Sequence, residues 1–496
     1  MAYWLGIDIG TGGSRALLID AKGGIAAAVT AAHDEMTMKR PLWAEQDPDN
    51  WWSAAQKAIQ GVLQMAGVSG NAIQGIGLSG QMHGLVLLDS EGKVIRPSLI
   101  WCDQRSQAQV DWINTKATPA AVLRCTANPV LTGFTLPKLL WVRDNEPANY
   151  ERGRMMLLPK DYIRYKLTAG YATEVSDASG TALFDVVKRR WSDELASMVG
   201  VDKSMLPECF ESCRITGKIS TEAAAATGLA VGTPVVGGGG DQAASAVGNG
   251  IVRAGIVSCT IGTSGVVFGH MEQPAYDPAG RVHTFCHAVD KKWHVMGVTQ
   301  GAGLSLQWLR NQLMPGAEYD ALTAEAATAS AGSQGLYWLP YLMGERTPHL
   351  DSTARAAWVG LTAKHTRADM IRSVLEGVAF SQMDCLEIIE GLGTTVENVR
   401  LSGGGAKSAF WRQMFADVFR KKVVTLETQE GSAYGAALLA AVGTGEFSSV
   451  PEACDATIRE VSTTVPGADA ALYAKTHKVY QSIYPALKPI FSQLHN

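Results

Sequence analysis

No apolar run in this 496-residue chain approaches the roughly 18 residues that a membrane-spanning helix needs. The N-terminus lacks a basic segment followed by an apolar stretch, and Asp8 interrupts the one candidate, so no secretory signal is expected. Charge is sparse and nearly balanced, with 18% charged residues and a formal net charge of −4. A nucleic-acid or membrane surface built on bulk positive charge is therefore excluded, although a local basic pocket is not. Cysteine is thin: eight are scattered along the chain. Cys209 and Cys213 lie close together, but no second pair follows at zinc-ligand spacing. The cysteines read as small buried hydrophobes in a reducing, cytoplasmic setting. Low-complexity linkers are missing too, and so is any Gly-x-x-x-x-Gly-Lys-[Ser/Thr] phosphate loop. The apolar content of 46% is ordinary for a globular protein, and the length calls for two or more domains.

What is present begins with Leu5-Gly6-Ile7-Asp8-Ile9-Gly10-Thr11-Gly12-Gly13-Ser14-Arg15. It reads as a β-hairpin, with strands over Leu5–Ile9 and Arg15–Ile19 around a Gly/Thr/Ser turn. A third strand is expected over Ile25–Thr30. Asp47-Pro48 then reads as an N-cap and first helical residue, ahead of an apolar stripe from Trp52 to Ala66. Strands follow over Ile73–Leu78 and Leu85–Asp89, a helix over Thr221–Thr227, and a strand over Pro234–Val236. Val257 to Phe268 then repeats the opening in kind, sharing Ile-Gly-Thr with it, and a repeat near half the chain length points to two related domains. Common Gly-Thr-Ser turns are the competing explanation. Farther on, Thr366 opens a capping-box helix through Ile389. Strand Val399–Leu401, helix Ala409–Phe419 and strand Val423–Leu426 keep the βα alternation of an α/β protein. A hinge is expected near Gly248–Gly255. Near the end, Asp469 to Tyr484 reads as an amphipathic helix that Pro485 stops. Its apolar face is either core or a contact between two copies in a homodimer, and core is the reading taken.

Three glycine-rich turns, at Gly10–Gly13, Gly262–Gly265 and Gly403–Gly405, can bring successive amides close to phosphates. Together they point to a nucleotide. Gly75-Ile76-Gly77-Leu78-Ser79-Gly80 has dinucleotide-site spacing, but Gln81 to Leu88 reads as loop and strand instead of helix. Gly238-Gly239-Gly240-Asp241 is better placed, yet no acidic residue stands about 20 positions on for a ribose, which keeps a dehydrogenase only as runner-up. Asp241 ends a run of four glycines at an expected helix start. A plain N-cap is the bland account of it, but four glycines exceed what a cap needs and imply a carboxylate approached from several sides. Asp8 and Asp241 then form a pair suited to phosphoryl transfer, one near a metal-bound phosphate and one as base. Gln81-Met82-His83 is a polar break between strands where a small ligand could sit, or His83 is a satisfied structural histidine. Trp101-Cys102-Asp103-Gln104-Arg105 could hold sugar hydroxyls or an ordinary ion pair.

At this point the residues resemble the FGGY carbohydrate kinases along nearly the whole chain. Gly133-Phe134-Thr135-Leu136-Pro137-Lys138-Leu139-Leu140-Trp141-Val142-Arg143-Asp144-Asn145 fits one family signature. Ala356-Ala357-Trp358-Val359-Gly360-Leu361, with Asp369-Met370 and Ser373-Val374-Leu375-Glu376, fits the other. Gly80-Gln81-Met82-His83-Gly84 is most similar to members that take D-xylulose, with Leu42–Pro48 and Leu158–Tyr162 in support. Glycerol-specific members carry Arg-Glu in place of Met82-His83.

The resemblance implies an α/β fold of two ribonuclease-H-like domains of the actin/Hsp70/hexokinase type, with a catalytic cleft between them. Residues 1–247 would bind the sugar and form the first phosphate hairpin, and residues 248–496 would bind the nucleotide. It implies ATP-dependent phosphorylation of D-xylulose at its terminal 5-hydroxyl, with Asp241 as general base and Asp8 near Mg²⁺, held through water. ATP contacts would come from Gly10, Thr11, Gly12, Gly13, Ser14 and Arg15, from Gly262 and Thr263 across the cleft, and from Gly303, Gln307, Gly404 and Gly405. Sugar contacts would come from Gln81, Met82, His83, Trp101, Asp103, Arg105 and Asp241. Two alternatives stay open: a family member acting on L-ribulose, D-ribulose, gluconate or glycerol, and a non-enzymatic ATP-binding protein of the actin/Hsp70 kind.

Overall fold

The strand Tyr3–Ile9 is buried along nearly its whole length, as expected of a strand covered on both faces. In the computed structural model, which describes residues 1–428 and 430–494, it is central to a seven-stranded mixed sheet. It pairs antiparallel with Gly13–Asp20 and parallel with Ile73–Gly80. Ile25–Ala32 closes one side; Pro234–Val236 and Ile215–Lys218 close the other, with Gly239–Gly240 added beside the end of Ile73–Gly80. A second seven-stranded sheet repeats the plan. There Gly255–Ile261 is antiparallel to Gly265–Met271 and parallel to Val396–Gly403, so the two Gly/Thr/Ser hairpins hold equivalent places. Trp293–Thr299 and Lys422–Leu426 flank them as Ile25–Ala32 and Pro234–Val236 flank the first.

Local signals set the helix starts. Asp47 caps Pro48–Ala66, and Thr366 with Asp369 forms a complete capping box on Arg367–Gly391. The helix at the chain's end corrects one expectation. It runs Ala470–Phe491 with Pro485 and Pro489 inside it. Each proline removes a helical donor, but Tyr480, Ile483, Tyr484 and Phe491 bury on one face and carry the helix past Pro485. That face is core. The strand expected over Leu85–Asp89 is only Val86–Leu88. No described helix is long and apolar enough to cross a membrane, and all eight cysteines are free thiols.

Helix Gly431–Gly443 packs on Tyr3–Ile9 and Ile73–Gly80 of the first sheet and on helix Asp241–Gly248. It is almost entirely Gly, Ala and Leu, and glycines on both sides let backbone meet backbone. A methyl group on Gly6 would overlap the Ala433 carbonyl, and one on Gly77 that of Ala436. One on Gly435 would overlap the Ala244 carbonyl. No flexible side chain lies there to yield. Gly77→Ala should therefore destabilise the protein by about 1–3 kcal/mol or more, as overpacking does. Gly391→Ala, whose methyl meets open space, serves as the control. Urea unfolding curves compare the two, and an unmoved midpoint for Gly77→Ala would contradict this packing.

Candidate active site

Two carboxylates act on one another at one end of the first sheet: Asp8 near the end of Tyr3–Ile9 and Asp241 after Gly239–Gly240, with the strand Ile73–Gly80 between them. Asp8 lies opposite Arg15 on one side and Ser79 on the other. Its Oδ1 is buried and makes no hydrogen bond among the described residues. Burial raises the Asp8 pKa, against smaller lowering by the Ser79 hydroxyl and the Arg15 charge. Asp241 is the first residue of helix Asp241–Gly248; the N-cap is Gly240, and no side chain caps this helix. Burial, followed by the charge of Asp8, pushes Asp241 up to about 7.

The glycine run has a steric purpose. Gly239 and Gly240 pair with Ser79 and Gly80. Gly238 has φ 73°, and a methyl there would overlap the Leu78 carbonyl. A Cβ on Gly240 would come within 2.9 Å of Met82 Cγ. Behind the run, Arg164 donates to the carbonyls of Val236 and Gly237 at 2.6 and 2.5 Å. The fully buried Lys160 ammonium lies 2.7 Å from Asp161, 3.3 Å from Asp177 and 3.6 Å from Glu174. Burial opposes its charge, but these carboxylates outweigh burial and raise its pKa. Asp177 is pushed well above the usual carboxylate range by burial, which the Lys160 charge only partly offsets.

Gln81, Met82 and His83 continue from the strand Ile73–Gly80. The Gln81 backbone N–H donates to Ile9 at 2.8 Å, and its side-chain amide to Gln46 at 3.1 Å. His83 has φ 70°, a left-handed conformation that needs support. The support is dense. Lys138 Nζ donates to the His83 carbonyl at 2.9 Å and to that of Gly133 at 2.6 Å, and the Thr135 hydroxyl adds a bond to His83 at 3.2 Å. His83 Nδ1 donates to the Gly180 carbonyl at 2.7 Å, which leaves Nε2 as an acceptor. Burial, then the Lys138 charge, lowers His83 to about 3, so the ring is neutral. It stacks on Phe134 at 4.7 Å, with Phe285 at 6.3 Å. Burial also lowers Lys138 to about 7.

Trp101 is 49% exposed, and its indole N–H donates to the Thr11 hydroxyl at 2.9 Å. Asp103 and Arg105 form an ion pair with each other. Asp103 accepts from the Ala44 amide at 2.7 Å and from Arg105, which also reaches Glu45 at 2.8 Å. Both side chains are enclosed, and the Arg105 guanidinium stacks 3.7 Å over Trp43. The Asp103 charge in turn favours the charged form of Lys138.

In the first hairpin the Gly10 amide donates to Gly13 at 3.0 Å, closing the turn. The Ser14 hydroxyl is buried against His33 at 2.8 Å, so what Ser14 offers the turn is its backbone. Arg15 lies 2.5 Å from Glu430, which precedes helix Gly431–Gly443. In the second half, Gly262, Thr263, Gly303, Gln307, Gly404 and Gly405 line one cavity of about 350 Å³. The Gly303 amide donates to Gly262 at 2.8 Å, an approach so close that a methyl on Gly303 would overlap that carbonyl. Ile261, Leu306, Tyr319, Asp320, Thr323, Lys407, Ser408 and Trp411 complete the wall. Sequence reasoning missed these eight, which carry no glycine signature. It also missed Lys138 and Phe134 as the props of His83, although both stand in the signature over Gly133–Asn145.

Residues 3–248 match the N-terminal domain of the FGGY family of carbohydrate kinases, and residues 257–444 match its C-terminal domain. The chain is 37% identical over 495 residues to the xylulose kinase of Bacillus subtilis strain 168, covering 100% of this chain and 99% of that one. The solved xylulose kinase of Rhodospirillum rubrum has a TM-score of 0.93 at 30% identity, covering 99% of this chain and 100% of that one. The gluconate kinase of Lactobacillus acidophilus has a TM-score of 0.94 at 27% identity, covering 99% of each. The two sheets are thus the ribonuclease-H-like pair of a sugar kinase, and the dehydrogenase and non-enzymatic readings fall. The chain belongs to the FGGY family of carbohydrate kinases, phosphotransferases that act on a sugar hydroxyl.

Proposed function

We propose that the protein transfers the γ-phosphoryl group of ATP to the terminal 5-hydroxyl of D-xylulose, giving D-xylulose 5-phosphate and ADP, with Asp241 as general base. Asp241 carries this reading: a carboxylate that burial and Asp8 lift to about 7 is poised to take a hydroxyl proton near neutral pH. The choice of sugar is supported by relatives named xylulose kinase that match along the full chain at 36–37% identity.

The sugar sits against Met82 and His83, with the neutral His83 Nε2 accepting from one of its hydroxyls. Gln81 and Trp101 border it, and Asp103 and Arg105 hold the Trp101 loop. The backbone of Gly10, Thr11, Gly12, Gly13, Ser14 and Arg15 faces the phosphates from one side, and Gly262 and Thr263 face them from the other. Gly303, Gln307, Gly404 and Gly405 hold the rest of the nucleotide. Asp8 suits Mg²⁺: it is a hard oxygen donor, and its buried Oδ1 has no partner among the described residues. Held there through water, Mg²⁺ would offset phosphate charge. The sugar's 5-oxygen attacks phosphorus in line, the bond to ADP breaks, and Asp241 takes the hydroxyl proton. Residues 1–247 form the sugar-side domain and residues 248–496 the nucleotide-side domain. Their closure excludes the water that would otherwise accept the phosphoryl group. The eight free thiols suit a cytoplasmic enzyme.

ADP release should be measured with Mg-ATP against D-xylulose, L-ribulose, D-ribulose, gluconate and glycerol. D-xylulose should give the strongest response, and a better response to another sugar would move the specificity. Asp241→Ala should lose at least roughly 10²- to 10⁴-fold in turnover, the usual contribution of a general base; near-normal turnover would refute the role. With Asp241 near 7, kcat/KM should fall about tenfold per pH unit below that value as the base is protonated, and a flat profile from pH 5 to 8 would count against it. Stability should move the opposite way. The folded-state pKa lies above the unfolded one, so stability is full below about pH 4 and is lost as pH rises through 7. Asp241→Asn should therefore raise the Tm at pH 8, with the gain vanishing near pH 4.

A further inference from the structure

Lys138 is a charge in a costly place. It lies on the helix Thr135–Asn145 and is fully buried. The Asp103 charge acts on it, but Asp103 is paired with Arg105, and among the described residues Lys138 makes no ion pair of its own. Its ammonium ends instead on two main-chain carbonyls, that of His83 at 2.9 Å and that of Gly133 at 2.6 Å. A helical side chain leans toward the N-terminus of its helix, so the charge also sits at the positive end of the helix dipole. Such a placement costs stability, and what it secures is the main chain of His83.

His83 needs securing, because its φ of 70° is left-handed. The Thr135 hydroxyl gives the same carbonyl a second donor at 3.2 Å, and Phe134 stacks on the ring at 4.7 Å. Gly180 fixes the ring from another side. Its carbonyl accepts from His83 Nδ1 at 2.7 Å, and a Cβ on Gly180 would fall 2.5 Å from both Cε1 and Nδ1 of that ring and 3.2 Å from Met82 Cε. No side chain fits there. Gly180 is held in turn: the neighbouring Ser179 hydroxyl accepts from the Cys286 amide at 3.0 Å and donates to the Val175 carbonyl at 2.7 Å. The same segment reaches Asp241. The Ser176 hydroxyl accepts from the amide of Gly240, the residue before Asp241, at 3.1 Å and donates to Glu174 at 2.8 Å. His83 and Asp241 are thus both referenced to residues 174–181, while His83 Nε2 makes no hydrogen bond among the described residues and remains accessible.

We propose that Lys138 and Gly180 are positioning residues for sugar recognition: Lys138 pins the main chain of His83, Gly180 pins its ring, and together they hold Nε2 at a fixed place relative to Asp241. The inference rests on the reading above, in which His83 contacts the sugar and Asp241 takes the proton. One sugar hydroxyl donates to Nε2 while another lies at Asp241, so the spacing between the two selects the hydroxyl that is phosphorylated. Neither Lys138 nor Gly180 touches the sugar. A displaced ring would weaken sugar binding and leave the nucleotide cavity, lined from the second half, as it is.

The test measures kcat and KM, for ATP and for the panel sugar that the wild type takes best, in Lys138→Met, Gly180→Ala, His83→Ala and the two double variants that add His83→Ala. Each of the first two should raise the sugar KM roughly 5- to 100-fold, the loss expected when a buried polar contact is broken. The KM for ATP should change by less than about twofold, as for an independent site. On the His83→Ala background each should change the sugar KM by less than about twofold as well, because no ring remains to be misplaced. A residue that only stabilised the fold would lower the active fraction, and with it the apparent kcat, and leave both KM values alone. Gly180→Ala removes no hydrogen-bonding group and carries the test if Lys138→Met fails to fold. An unchanged sugar KM in either folded single variant, or the same rise with and without the His83 ring, would overturn the proposal while leaving the kinase reading intact. A wild type inactive on every sugar of the panel would overturn that reading and this inference with it.

Discussion

Two carboxylates held out of water at one end of the first sheet, on either side of the strand Ile73–Gly80, are the constraint around which this molecule is organised. Asp8 and Asp241 both lose hydration, and each raises the cost of ionising the other. Nearby positive charge offsets little of this: Arg15 only partly counters the burial of Asp8, and Lys160 and Arg164 face Asp161, Glu174 and Asp177. With three carboxylates against two cations, burial raises the pKa of Asp177, which Lys160 only partly offsets. The corner therefore has only a partial internal remedy for its negative charge, from Arg15 and Ser79. Under the proposed reading the remedy is the substrate complex itself, and the protein carries the destabilisation until that complex binds. Stability must come from elsewhere, above all from the two covered sheets.

The other end of the cleft obeys the opposite rule. His83 and His283 are buried and neutral, so their nitrogens act as fixed donors and acceptors, not charges. The charges that act on His83 there are those of Lys138 and Arg346.

The hairpins and the carboxylate pair were legible in the sequence because both rest on local chemistry: glycines where backbone must turn or approach, and aspartates where an apolar strand ends. The repeat was legible through Ile-Gly-Thr. What could not be read depends on tertiary neighbours. Asp103 and Arg105 look like a sugar contact two residues apart, yet Glu45, Arg96 and Trp43, from other segments, enclose them. Lys138 sits on a helix whose sequence gives no hint that its ammonium caps the carbonyl of His83, 55 positions earlier. Pro485 reads as a stop, and only the burial of Phe491 explains why the helix continues.

Helix Gly431–Gly443 belongs to the far end of the chain but covers the first sheet. A ribosome emits the chain from its N-terminus at about 5–20 residues per second. The first sheet is therefore made early and left with one face uncovered for tens of seconds, until the last part of the chain emerges. Native-like structure in the first half must then wait for near-completion of synthesis. A nascent chain stalled before position 431 would present a flat, glycine-lined apolar surface to whatever chaperone is at hand.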